Sequence, residues 1–249
     1  MQVRGISFIM PVYLGEYKGS REKADVKFIR AVKSFLAQNY QNKELIIVSD
    51  GDELANQLYE RYFKDEKEVK LIRCEKCKEL WPGILREVGR SYASNEWIGY
   101  LDSDDMLSGG HIEMLSRAVD GLKNNETVIL STQAYHPISL NANLKFREYC
   151  GQGKKCSDQN WKKFYDAQIT FPTGLGSNMK VIGRSWAKSG DIAGTWAILH
   201  KIDVKPRWKS RNQVGEDSEF IRSLRKEEKV IELPIGGYLI MHMAGYIDF

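Results

Sequence analysis

The chain has 249 residues, 42% of them hydrophobic and 28% charged, which is the composition of an ordinary globular protein. No apolar run reaches the roughly 18 residues that span a bilayer, so a membrane-embedded chain is excluded at this level. The formal charge of +4 is mild but uneven: Lys145 to Arg211 holds 14 Lys or Arg against 5 Asp or Glu, and the remainder is net acidic.

The N-terminal "MQVRGISFIMPVY" is too short an apolar run for a signal peptide and contains Pro11, so it reads as a first strand, with a cytoplasmic location as the default. "VKFIRAVKSFLAQ" repeats apolar residues at three-four spacing and predicts a helix. "KELIIVSDGD" predicts a second strand ending in a turn at Asp50-Gly51, and "ELANQLYERYF" a second amphipathic helix. "EVKLIRC" is a third strand, and "WPGILREVGRSYAS" a third helix with Pro82 near its first turn. "EWIGYL" is a fourth strand, ending in "DSDD".

Strand–helix alternation repeated three times implies a mostly parallel sheet flanked by helices. Ligands of such sheets bind beyond the carboxyl ends of the strands, where Tyr13, Asp50 and Asp102–Asp105 all fall. The second half is less regular. "TVILSTQAYHPI" and "GTWAILHKID" read as strands, "EDSEFIRSLRKE" as a helix and "KVIELPIGGYLIMHM" as one or two closing strands. Residues 141–195 give no clear period and are the expected acceptor region, because binding loops sit on rigid scaffolds. One domain over 1–249 is expected, with 1–107 as a nucleotide-sugar half and 108–249 as an acceptor half.

Four cysteines occupy 74, 77, 150 and 156. Cys74 and Cys77 have zinc-ribbon spacing, but Cys150 and Cys156 do not complete the site, which favours free thiols. The basic Lys145–Arg211 stretch suits phosphates, an anionic membrane surface or nucleic acid, or is a solvated face.

Three carboxylates within four residues repel one another. At a strand's carboxyl end they suit a hard cation, Mg²⁺ or Mn²⁺, whose shell a diphosphate completes. The alternative is a capping cluster for the following helix. No G-x-G-x-x-G follows the first strand, and no P-loop, H-E-x-x-H or nucleophile elbow occurs.

Taken in order, "ISFIMPVY", "AVKSFLAQNYQNKELIIVSDGD", "GILREVGRSYASNEWIGYLDSDD" and "VGEDSEFIRSLRK" resemble the family 2 glycosyltransferases of GT-A fold, which are inverting enzymes using nucleotide diphosphate sugars. The chain departs from that pattern at Ser49 and Glu87, where the family commonly has an acid and Asn, and in its longer first loop. The resemblance implies that Pro11, Tyr13, Glu16 and Asp50 line the nucleotide pocket and that Arg86 contacts the nucleotide or buttresses the acids. It implies that Asp102, Ser103 and Asp105 bind the donor, and that Asp104 and His242 hold the metal. Asp217 is then the general base with Glu216 beside it, and Trp196 and His200 line the acceptor side.

The implied reaction is metal-dependent inverting transfer, from a UDP-linked donor, of a hexosyl or N-acetylhexosaminyl group to a glycan or lipid-linked saccharide, with peripheral contact with an anionic membrane. A nucleotidyltransferase of similar fold, lacking here its Gly-rich opening loop, and a catalytically silent glycan- or nucleotide-binding module are the alternatives. A nucleic-acid binder has no recognised motif behind it.

Overall fold

The computed structural model describes residues 4–15, 23–75, 82–136, 161–169, 179–186, 194–209 and 215–241. Its first half alternates β1 (Ile6–Val12), α1 (Ala24–Leu36), β2 (Lys43–Asp50), α2 (Glu53–Tyr62), β3 (Val69–Cys74), α3 (Gly83–Ser91) and β4 (Trp97–Tyr100), as the sequence predicts. β1 pairs in parallel with both β2 and β4, and β2 in parallel with β3. The full buried runs of β1 and β2 follow from this, because a parallel strand is covered on both faces.

Alternation along β1 shows which helices cover which face. Phe8 meets Phe35 of α1 and His111, at the start of α4 (His111–Asp120). Ile9 points the other way, toward α3, where Gly89 comes so close that a Cβ would lie 2.4 Å from Ile9 Cγ2. Only glycine permits that approach, which seats the last turn of α3 directly on β1 and β2.

The second half completes the sheet and adds another. After the short β5 (Met106–Leu107) and α4, the expected single strand over 127–138 divides into β6 (Val128–Ser131) and β7 (Gln133–His136), which enter different sheets. Ser131 Oγ makes the break: it accepts from the Gln133 amide, and its one proton faces the carbonyls of Gln133 and Ile235, both within hydrogen-bond reach. The aperiodic stretch contains two antiparallel strands, β8 (Trp161–Ile169) and β9 (Met179–Trp186). A 3₁₀ turn at Thr195–Ala197 precedes β10 (Ile198–Lys201), so only part of "GTWAILHKID" is extended. Helix α5 (Glu216–Glu227), β11 (Val230–Leu233) and β12 (Tyr238–Leu239) follow.

The larger sheet has the order β11-β6-β10-β4-β1-β2-β3, with β10 antiparallel to both neighbours. The smaller has the order β5-β12-β7-β9-β8. In the larger sheet the strand order reverses between β1 and β4, and the crevice at that switch is where such folds bind ligands. Among the described residues no helix is long and apolar enough to cross a membrane.

Candidate active site

The acidic turn Asp102–Asp105 leaves β4 at this crevice, and protein groups offset its repulsion. Asp102 uses both carboxylate oxygens: Oδ1 accepts from Arg86 Nη2 at 3.0 Å, and Oδ2 from the Thr195 hydroxyl at 2.8 Å. Its amide donates to the Tyr238 hydroxyl at 3.0 Å. Asp105 is 1% exposed, and its Oδ1 accepts from the Met241 amide at 2.7 Å. The Asp104 carbonyl accepts from Arg30 Nη2 at 3.1 Å, while its side chain and that of Ser103 stay partly exposed. Arg86 and neutral donors thus offset part of the repulsion, and Arg30 holds the backbone of the turn.

Arg86 links this turn to the acids that open α5. Its Nη1 donates to Glu216 Oε1 at 2.6 Å and lies 3.7 Å from Asp217 Oδ1. The guanidinium is buried and lies 4.7 Å from the centre of the Trp208 ring. Burial opposes its charge, but Asp102, Asp217 and Glu216 outweigh that and hold it protonated more firmly than an ordinary Arg.

Glu216 is buried, and its second oxygen accepts from the Gly83 amide at 3.1 Å. Both its oxygens are therefore committed to bracing α3 against α5. The Asp217 side chain is 33% exposed, so of this pair it is the one that solvent or a substrate can reach. Gly215, at φ 111°, turns the chain into the helix, and acids in a first turn suit its positive end.

Pro11 is buried in β1, and Tyr13 follows that strand, partly exposed. Val12 pairs with Ser49 in the parallel register, so Tyr13 and Asp50 leave neighbouring strands at one level. Asp50 is 8% exposed. Asp52 organises their loops. Its Oδ2 accepts from the amides of Leu14 at 2.5 Å and Gly15 at 3.1 Å, and its Oδ1 caps α2 through the Ala55 amide at 2.9 Å. Ser49, at a departure from the family pattern, has its hydroxyl 3.3 Å from the Asp52 amide, which donates to it. Glu87, at the other, accepts from the Trp208 amide at 2.8 Å and so anchors the segment before α5.

Two expectations are corrected. His200 is fully buried in β10 and leaves no face for an acceptor. Its Nδ1–H donates to the Lys201 carbonyl at 2.6 Å, Nε2 accepts from Tyr100, and the Tyr100 hydroxyl accepts from Trp208 Nε1, each of the last two at 2.8 Å. Burial holds the His200 ring neutral, with its pKa lowered to about 3. Trp196, 9% exposed, packs into the core rather than lining an open cleft.

Glu16, His242, Cys77, Cys150 and Cys156 lie outside the described residues, as does much of Lys145–Arg211. Cys74 ends β3. Sequence reasoning missed Arg30, Asp52, Thr195, Trp208 and Tyr238. Only Asp52 carried a local signal, as an acid directly before a helical run.

Among the described residues, no three His, Cys, Asp or Glu side chains converge as a metal cage. The partly exposed Asp104 beside Asp102 nevertheless fits Mg²⁺ or Mn²⁺, which take one or two protein carboxylates and complete their shell with phosphate oxygens.

Comparison with known proteins accords with this geometry. An E. coli protein named UDP-Glc:alpha-D-GlcNAc-diphosphoundecaprenol beta-1,3-glucosyltransferase WfgD is 31% identical over 120 residues, covering 48% of this chain and 42% of that one. A Haemophilus influenzae protein named as an uncharacterized glycosyltransferase is 32% identical over 113 residues, covering 43% of this chain and 39% of that one. The chain thus spans less than half the length of these relatives. The crystal structure of S. aureus TarS 1-349 in complex with UDP-GlcNAc superposes with a TM-score of 0.61 at 15% identity, covering 95% of this chain and 58% of that one, and the likeness establishes the GT-A fold. Residues 7–177 match the Glycosyl transferase family 2 pattern, and the chain belongs to that family.

Proposed function

We propose that this protein transfers a sugar, with inversion, from a UDP-sugar to a hydroxyl of a glycan or lipid-linked saccharide. The observation that carries the reading is the join made by Arg86. One buried cation touches Asp102 of the turn and Glu216 of α5, so donor-side and acceptor-side acids share one site. Support also comes from the relatives, since the E. coli protein is named for a UDP-Glc donor and the TarS structures hold UDP or UDP-GlcNAc.

In this reading Tyr13 and Asp50 receive the base and ribose, and Asp104 holds Mg²⁺ or Mn²⁺, with His242 a further candidate. The cation supplies charge stabilisation for the departing diphosphate. Asp217 takes the proton of the acceptor hydroxyl as that oxygen attacks the anomeric carbon opposite the diphosphate. The new carbon–oxygen bond forms while the bond to the diphosphate breaks, and its electron pair leaves on the phosphate oxygen. Arg86 keeps Asp217 beside the donor turn, and Glu216 braces the helix that carries it.

The test is calorimetry against a panel of nucleotides and nucleotide sugars with Mn²⁺. Binding of UDP and one UDP-sugar above other nucleotides is the expected result. No nucleotide binding at all would refute the reading.

A further inference from the structure

The acidic turn is shaped by β12. Tyr238, 1% exposed, reaches across from that strand, and its hydroxyl accepts from the Asp102 amide at 3.0 Å. The same hydroxyl hydrogen-bonds Asp105, whose Oδ1 also receives the Met241 amide at 2.7 Å. A backbone bond from the Asp105 amide to the Asp102 carbonyl, at 3.1 Å, closes the turn between these two points. Tyr238 itself cannot drift. It pairs with Leu107 across the β12–β5 ladder, and His111 packs edge-on against its ring at 6.3 Å.

We propose that Tyr238 is a positioning residue of the donor turn, one oxygen that ties the Asp102 amide to the Asp105 carboxylate across the turn's own backbone bond and so sets where Asp104 presents its carboxylate. Chemistry suits the phenol to this task. It accepts from an amide with a lone pair and donates its proton to a carboxylate, so it needs to be neutral. Burial first, then the charges of Asp105 and Asp102, push its pKa well above the ordinary tyrosine value. A water in its place would satisfy the same partners without fixing the angle between them. The inference rests on the reading of this turn as the donor site.

Tyr238→Phe removes that oxygen and keeps the ring that packs on His111. The experiment measures UDP binding by calorimetry with Mn²⁺, in parallel with thermal melting, for wild type, Tyr238→Phe, Asp104→Ala and Tyr40→Phe. Tyr40→Phe is the control for losing a tyrosine hydroxyl elsewhere: its oxygen bonds the Arg4 carbonyl and Ser116 Oγ, away from the turn. The expected result is a Kd for UDP raised about tenfold in Tyr238→Phe, or about 1.4 kcal/mol, with Tyr40→Phe within twofold of wild type. Weakened binding in Asp104→Ala with no change in Tyr238→Phe overturns the positioning role and leaves the donor reading intact. Unchanged binding in both overturns both. Equal weakening in Tyr238→Phe and Tyr40→Phe assigns the effect to general loss of stability and also overturns the role.

Discussion

Arg86 Nη1 and Glu216 Oε1 lie 2.6 Å apart although 130 residues separate them in the chain. Their contact joins the helix after β3 to the helix after β10, and both partners are buried. Removing one side leaves a buried charge without its ionic partner. Arg86→Met is therefore expected to destabilise the fold by about 3–5 kcal/mol, read by urea denaturation. Arg86→Lys should recover only part of this, because a point charge does not serve Asp102 and Glu216 together as the planar fork does. Wild-type stability in Arg86→Met would count against the join as a structural element.

Asp217→Asn keeps the shape and removes the base. A positioned base supplies about 10² to 10⁴ in rate, so transfer should fall by that factor while UDP affinity stays within a few-fold. Glu216→Gln should instead lower the melting temperature, since its carboxylate holds Arg86 and the Gly83 amide. Near-normal transfer by Asp217→Asn would move the base elsewhere.

Asp104 is the acid of the turn assigned to the cation. EDTA and Asp104→Ala should each weaken UDP binding by at least about tenfold, or about 1.4 kcal/mol, and the two losses should not add. Equal UDP affinity with and without Mn²⁺ in the wild type would remove the metal from the donor site.

Acid should unfold the protein in two stages with different origins. His200 and His111 are buried, and burial lowers their pKa values to about 3 and about 4, from 6.5. The unfolded chain binds those protons first, so stability falls as pH drops below 6.5 and stops falling once the folded values are passed. Glu44 is depressed. Burial raises it, but bonds from Lys70, Ser7 and Ser94 outweigh burial and bring it to about 2, from 4.5. Its contribution is present above pH 4.5 and is lost as pH falls through 2. Each pKa unit is worth about 1.4 kcal/mol, so the two histidines account for most of the loss between pH 6.5 and 4. Urea midpoints from pH 7 to 3 check this, and a flat profile above pH 4.5 would contradict the buried histidines.

The first half was legible because its signals are local. Apolar runs, the Gly51 break and strand–helix spacing act within about ten residues, and parallel pairing follows from them, although β1 runs on through Pro11 to Val12 rather than ending there. The positions of Asp50, Asp102 and Asp217 came with it, since strand ends and a helix start mark them. What could not be read is what depends on distant partners. His200 resembles a site residue until Tyr100 and Trp208 are seen to bury it. Thr195 and Tyr238 carry no spacing signal, yet they hold Asp102 from 93 and 136 residues away. The break between β6 and β7 likewise depends on the Ile235 carbonyl, contributed by a segment 104 residues later.

The place of β10 between β4 and β6 sets an order for synthesis. Tyr100 closes β4, and its partner His200 is made 100 residues later. At about 5–20 residues per second, that interval is on the order of 5 to 20 s. Throughout it β1, β2, β3 and β4 can already pair in parallel, while the outer edge of Trp97–Tyr100 has no neighbour. Such an edge is a template for any passing strand. Emergence of Ile198–Lys201 covers that edge and brings β6 into the sheet, while the far edge of β6 waits for β11 and the acids wait for Glu216, Tyr238 and Met241, so the nascent chain is most open to mispairing at β4 just before β10 appears.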